Sequence, residues 1–235
     1  MTNDCFVPAG VTLFAFMHLL AQLPGRCRRI FRIGFKIAIK YSLMSRQSDH
    51  SFVKVFFALW PTTAERVQLA AWQKPLRHLC GGRAMLVETL HNTLVFIGSV
   101  EQSRLEALQL AALEVGTASF RLCFDEARYW EHNHIVYAAP GEVPRHLAQL
   151  VSDLEQRLAL HLFKFDQREY KPHVTLLRNA HWTDAPLPDM PPVCWQIQDF
   201  ALVQSMQQEG LASYRVLARF ALSESGVASG PSFDG

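Results

Sequence analysis

Two segments of this 235-residue chain, His91-Asn92-Thr93-Leu94 and His173-Val174-Thr175-Leu176, repeat one pattern, and each runs on into apolar residues. A His-x-Thr tripeptide at the head of a β-branched and aromatic run marks the start of a buried strand. Side chains on a strand alternate faces, so the His and Thr of each copy point the same way, roughly 6.6 Å apart along the backbone. Asn92 and Leu94, or Val174 and Leu176, then point to the other side. The copies lie 82 residues apart, about one lobe's worth of chain. The expected fold is a duplicated half-domain that brings two imidazoles into one cleft.

The flanking patterns fit such a duplication. FVKVFFAL (52–59) reads as a central strand, followed by a helix capped by Thr62 or Thr63 and running to about Leu79. The first His-x-Thr strand spans Leu90 to Ile97 and closes at Gly98; a helix from Glu101 to Leu113 and a strand from Ser119 to Phe124 follow. In the second half, His134 to Ala138 is a strand. Arg145 to Leu162 is a helix with Leu147, Leu150, Val151, Leu154 and Leu158 on one stripe. Lys171-Pro172 introduces the second His-x-Thr strand, where proline keeps the chain extended. After a Pro-rich connector (186–192), Gln198 to Met206 and Ser213 to Leu222 form a hairpin. The predicted class is α+β: two pseudo-symmetric lobes, each a mixed or antiparallel sheet backed by helices, with the active site in the cleft between them. That domain covers residues 50–222, its lobes interleaved around His91 and His173.

With 49% hydrophobic and 19% charged residues the chain has the composition of a globular protein. The net charge of +2 is uneven: residues 1–43 hold six basic side chains against Asp4 alone, which leaves the remainder at −3. A protein that coats a long duplex carries a broad basic surface, so nucleic-acid contact here is expected to be local. The apolar run 11–23 is too short to span a bilayer, and the basic residues follow it, whereas a secretory signal places them before it. Arg29 to Lys40 has the spacing of a basic amphipathic helix, but the globular pattern begins only at Phe52, as if Met44 were the start. Residues 1–43 are therefore expected to be an extension outside the fold, and the Gly/Ser-rich 223–235 a disordered tail. Five scattered cysteines without C-x-x-C argue against a disulfide framework and for a reducing cytoplasm.

Two histidines across a cleft make an acid–base pair at neutral pH. The threonine hydroxyls on the same face, Thr93 and Thr175, are short, stiff donors suited to the non-bridging oxygens of a phosphate. Arg178, three residues past Thr175, has the planar fork to grip phosphate, although strict alternation places it on the opposite face from His173. Together these groups suit in-line displacement at phosphorus. A zinc site would need a third ligand, and threonines bind zinc poorly. His132 and His134, two residues apart, are a further pair that could bind metal with a carboxylate, though surface or strand-end positions suit them better. Phe57, Tyr129, Trp130 and Tyr170 are candidates for stacking on a terminal base.

HNTLVFIG and HVTLLR resemble the paired signatures of the two-histidine phosphoesterase superfamily, and more closely those of the bacterial RNA 2′,3′-cyclic phosphodiesterases, or 2′–5′ RNA ligase-like proteins. The likeness covers about residues 50–222, with FVKVFFALWP as a typical opening strand. The resemblance implies a metal-independent enzyme without cofactor that opens an RNA terminal 2′,3′-cyclic phosphate to a 2′-phosphomonoester, reversible as 2′–5′ ligation. It implies His91 as proton donor, His173 as proton acceptor, and Thr93, Thr175 and Arg178 as substrate-binding residues. Partners are RNA 3′ ends or nucleoside 2′,3′-cyclic phosphates, with the protein a cytoplasmic monomer that needs no stable protein partner. The alternative is a non-catalytic RNA- or nucleotide-binding module of the same fold.

Overall fold

The computed structural model describes residues 51–181, 184–208 and 211–223, all within one contact unit, His50–Gly235. The expectations for residues 1–43 and for the tail beyond Ser223 lie outside the described residues. Ser223, the first residue of the expected tail, pairs with Ala118 in a single β-bridge.

Among the described residues, ten strands and four α-helices follow in the order β1 (Phe52–Leu59), α1 (Thr63–Ala70), α2 (Gln73–Cys80), β2 (Arg83–Ala84), β3 (Asn92–Glu101), α3 (Leu105–Leu113), β4 (Phe120–Phe124), β5 (Glu126–Trp130), β6 (Ile135–Ala139), α4 (Arg145–Leu160), β7 (Val174–Arg178), β8 (Val193–Ile197), β9 (Asp199–Gln208) and β10 (Leu211–Ala221). One sheet has the order β10-β9-β1-β3, a second β2-β7-β6-β5, and β4 pairs with β8 in a ribbon. Every ladder between these strands is antiparallel. The class is α+β, and each His-x-Thr strand belongs to its own four-stranded sheet.

The helix expected to run from Thr62 to Leu79 is two helices. Thr62 caps the first through a capping box with Glu65. Pro75, which has no N–H to donate to the carbonyl four residues back, sits in the first turn of the second, where none is needed. On α4 the stripe Leu147, Leu150, Val151, Leu154 and Leu158 is the buried face. These residues join Leu94, Leu176 and Leu177 in one continuous core that runs under both sheets.

Strands β2, β5 and β8 are additions to the sequence reading. β8 carries Cys194, whose sulfur is bonded to that of Cys123 at the facing position of β4. This disulfide differs from the expectation of scattered thiols. The two cysteines are 71 residues apart in sequence, and only the pairing of β4 with β8 makes them neighbours.

Candidate active site

Each His-x-Thr strand carries the same irregularity. In β3 the pairing with β1 passes from Phe57↔Val95 to Ala58↔Thr93 and skips Leu94. In β7 the pairing with β6 passes from Val136↔Leu177 to Tyr137↔Thr175 and skips Leu176. Both are β-bulges at the third residue after the histidine, and a bulge resets the alternation of faces. Leu94 and Val95 are therefore both buried, as are Leu176 and Leu177. Thr93 and Phe96, and likewise Thr175 and Arg178, turn to the opposite side. Strict alternation had put Arg178 away from His173; the bulge corrects that and brings it into the cleft.

His91, Thr93, His173, Thr175 and Arg178 all line one cavity of about 180 Å³. Phe96, the counterpart of Arg178 in the other half, lines it too, with Phe56, Ser205 and Tyr214 completing the wall around His91. The two half-sites are thus alike in His and Thr but unlike at the fifth residue after the histidine. One presents a guanidinium, the other an exposed aromatic ring.

The rings are held alike. His91 Nδ1 lies 2.6 Å from the carbonyl of Thr89, and His173 Nδ1 lies 2.7 Å from the carbonyl of Lys171. A carbonyl only accepts, so each Nδ1 carries the hydrogen and each Nε2 is left for chemistry. Aromatic contacts fix the ring planes. Phe56 and Trp60 stack on His91 at 5.0 and 5.4 Å, with Tyr214 edge-on at 5.1 Å. Trp130 and Tyr137 meet His173 edge-on at 4.6 and 5.7 Å. On Trp60 rests the guanidinium of Arg66, 4.6 Å from the ring centre, its Nε donating to the carbonyl of Leu90.

Burial disfavours the imidazolium and pushes the His91 pKa down to about 4; the positive charges of His173, Arg66 and Arg178 act in the same direction, against the Thr89 carbonyl. His173 is lowered as well, mainly by burial and then by Arg178. Between pH 6.5 and 4 the unfolded chain binds a proton at His91 that the folded chain does not, so stability falls as pH falls through this range. For His91 the loss is on the order of a few kcal/mol once both states are protonated. Urea unfolding of wild type at pH 7.5 and 4.5 should show a larger drop than His91→Gln; equal drops in the two proteins would contradict this origin.

The other candidates separate. Phe57 is fully buried and unavailable to any base. The hydroxyl of Tyr170 donates to Asn92 Oδ1 behind the cleft, and that of Tyr129 donates to the Ala180 carbonyl. Of the four proposed aromatics, Trp130 is the one whose ring packs on His173. The cavity wall is formed instead by Phe56 on β1, Phe96 on β3 itself and Tyr214 on β10, whose signal in the sequence was only their place on strands. His132 lies in a 3₁₀ turn and His134 takes φ 53° with its Nδ1 3.0 Å from the Tyr129 hydroxyl, so their two-residue spacing is not that of a strand. Among the described residues no group of three or more His, Cys, Asp or Glu gathers in a metal-binding arrangement, and no helix is long and apolar enough to cross a membrane.

Residues 60–213 match the 2′-5′ RNA ligase superfamily. An RNA 2′,3′-cyclic phosphodiesterase of Escherichia coli K12 is 30% identical over 173 residues, 73% of this chain and 97% of that protein. One from Thermus thermophilus is 30% identical over 72% of this chain and 90% of its own length. The crystal structure of E. coli LigT complexed with 3′-AMP superposes with a TM-score of 0.68 at 29% identity, covering 74% of this chain and all of that one. With the matched stretch covering more than half of the chain and containing both His-x-Thr strands, the chain belongs to the 2′-5′ RNA ligase superfamily.

Proposed function

We propose that the protein is an RNA 2′,3′-cyclic phosphodiesterase that opens the cyclic phosphate to a 2′-phosphomonoester by two-histidine acid–base catalysis, without metal or cofactor, acting as a monomer on RNA 3′ ends or nucleoside 2′,3′-cyclic phosphates. The observation that carries this reading is that both imidazoles, both threonine hydroxyls and Arg178 line a single cavity of about 180 Å³, scaled for one phosphoryl group and its ribose edge. The names of the E. coli and Thermus relatives, and the 3′-AMP bound to E. coli LigT, support the same class of ligand.

In this mechanism His173 Nε2 takes a proton from water, which attacks phosphorus. His91 Nε2–H protonates the 3′ oxygen as its bond to phosphorus breaks, and the phosphate stays on the 2′ oxygen. The threonine hydroxyls and Arg178 hold the non-bridging oxygens as charge builds on them. The unlike pair Phe96 and Arg178 supports this orientation over its mirror. Phosphate oxygens gain most beside the guanidinium in the His173 half. The ribose and base, which carry the leaving 3′ oxygen, fit the Phe56, Phe96 and Tyr214 wall around His91. A donor with a depressed pKa is the stronger acid once charged, and the substrate's negative charge favours the charged ring. With an RNA 5′ hydroxyl in place of water, the same steps form a 2′–5′ linkage: His173 takes the hydroxyl proton, the 5′ oxygen attacks phosphorus, and His91 protonates the 3′ oxygen as its bond to phosphorus breaks.

Incubation with adenosine 2′,3′-cyclic phosphate in EDTA, followed by phosphorus NMR, tests the reading. The expected spectrum shows the 2′-monoester alone. A 3′-monoester would reverse the assignment of the leaving oxygen, and binding without turnover would leave only a nucleotide-binding module.

A further inference from the structure

The two imidazoles stand at the heads of strands in different sheets, His91 just before β3 and His173 just before β7. Acid–base chemistry on one phosphoryl group needs them at a fixed separation, and a misplacement of about 1 Å can cost about 10²-fold in rate. The apolar core beneath the sheets sets that separation only loosely, because apolar contact has no direction. A directional tie between the strand heads would fix it.

One exists, at a place where the two halves differ. The residue after each histidine is fully buried, Val174 in one half and Asn92 in the other. Asn92 Oδ1 accepts a hydrogen bond of 3.1 Å from the hydroxyl of Tyr170, 78 residues away. Its Nδ2 has no partner among the described residues, a cost that an apolar side chain such as that of Val174 does not carry. Lys171, the residue after Tyr170, supplies the carbonyl that receives the Nδ1 hydrogen of His173. From His91 the path therefore runs through one peptide bond to Asn92, across to Tyr170, through one peptide bond to Lys171 and on to His173. The same segment is tied to β3 a second time, where the Asp166 N–H donates to the Phe96 carbonyl at 2.9 Å.

We propose that the Asn92–Tyr170 hydrogen bond is a strap that spaces the two histidines, so that both residues are positioning residues for the acid–base step. The inference rests on the phosphodiesterase reading above. Neither residue lines the reacting cavity, so they act through the strand heads and not on the substrate. Burial raises the pKa of the Tyr170 hydroxyl far above its ordinary value, against the opposing effect of the Asn92 bond. The phenol therefore stays a donor throughout the working range of pH, and the strap does not loosen as the histidines titrate.

The test separates spacing from stability. Removing one partner of a buried hydrogen bond leaves the other unsatisfied, whereas replacing both with apolar groups of the same shape is close to neutral. Tyr170→Phe is expected to lower the thermal unfolding temperature, and to lower kcat for a nucleoside 2′,3′-cyclic phosphate by about tenfold or more. Adding Asn92→Leu, which keeps the branched shape, should return the unfolding temperature to near the wild-type value. In that double replacement kcat should stay down by about tenfold, with KM within about threefold of wild type. Recovery of kcat together with the unfolding temperature would overturn the strap and leave a purely structural pair. In a His91→Ala background no pair remains to be spaced, so the double replacement should change residual turnover by less than about twofold. A loss there as large as in the wild-type background would also overturn it. Should Tyr170→Phe alone fail to fold, the double replacement carries both comparisons. A wild-type protein without turnover would instead remove the phosphodiesterase reading itself.

Discussion

Replacing either histidine with alanine should lower kcat by about 10²–10⁴, the range for losing a positioned general acid or base, with substrate binding affected far less. His91→Ala and His173→Ala remove the two Nε2 atoms that the strand heads present to the phosphoryl cavity. The double variant should be little worse than the worse single one, because a proton relay with one end missing is already broken. A fold-preserving loss is expected, since both rings lie at the cavity wall and the core beneath them consists of Leu94, Val95, Leu176 and Leu177. The check is steady-state turnover of a nucleoside 2′,3′-cyclic phosphate, in EDTA, on variants with wild-type thermal unfolding. Activity within tenfold of wild type in both single variants would end the acid–base account, and so would a wild-type activity abolished by the chelator.

The pH profile carries the same logic. Both imidazoles are depressed by burial, His91 to about 4. The free enzyme therefore holds them neutral at pH 7, and the acid's proton is stabilised when the anionic substrate arrives. The acid limb of kcat/KM, a property of free enzyme, belongs below pH 6.5, and the limb seen in kcat should differ from it.

What the sequence disclosed was the part encoded locally. The head of each strand, the apolar stripe of α4 and the first strand are period and residue type, and each needs only its own window of chain. Duplication of the tripeptide at half-chain spacing was enough to bring His91, Thr93, His173 and Thr175 together as candidates. The missing part was long-range. A bulge depends on the neighbouring strand, so neither Leu94 nor Leu176 signals in its own window that it will be skipped, and Arg178 was placed on the wrong face. Phe56 and Tyr214 reach His91 from strands 35 residues before and 123 residues after it. The disulfide likewise depends on a β4–β8 ribbon whose second strand hides between a Pro-rich connector and a hairpin. The matched burial of Asn92–Phe96 and Val174–Arg178 is the clearest trace of duplication, and it appears only in three dimensions.

The bulge makes Arg178 the second residue with a large expected effect. Arg178→Met keeps length and apolar stem but removes the fork, and kcat should fall by about 10²–10³, as for loss of one preorganised donor to a developing oxyanion. Arg178→Lys should recover part of that, because a point charge replaces the cation but cannot bond two phosphate oxygens in one plane. Its counterpart Phe96 should behave differently. Phe96→Leu leaves the phosphate donors intact and takes away ring surface from the ribose and base side, so KM should rise several-fold with kcat nearly kept. The contrast between the two positions is the decisive measurement, since a pseudo-twofold site that ignored the difference would give equal losses at both. Should Arg178→Met stay within threefold of wild type in kcat, the substrate must sit the other way round. The cation would then serve only to keep His173 neutral, and the roles of His91 and His173 would exchange.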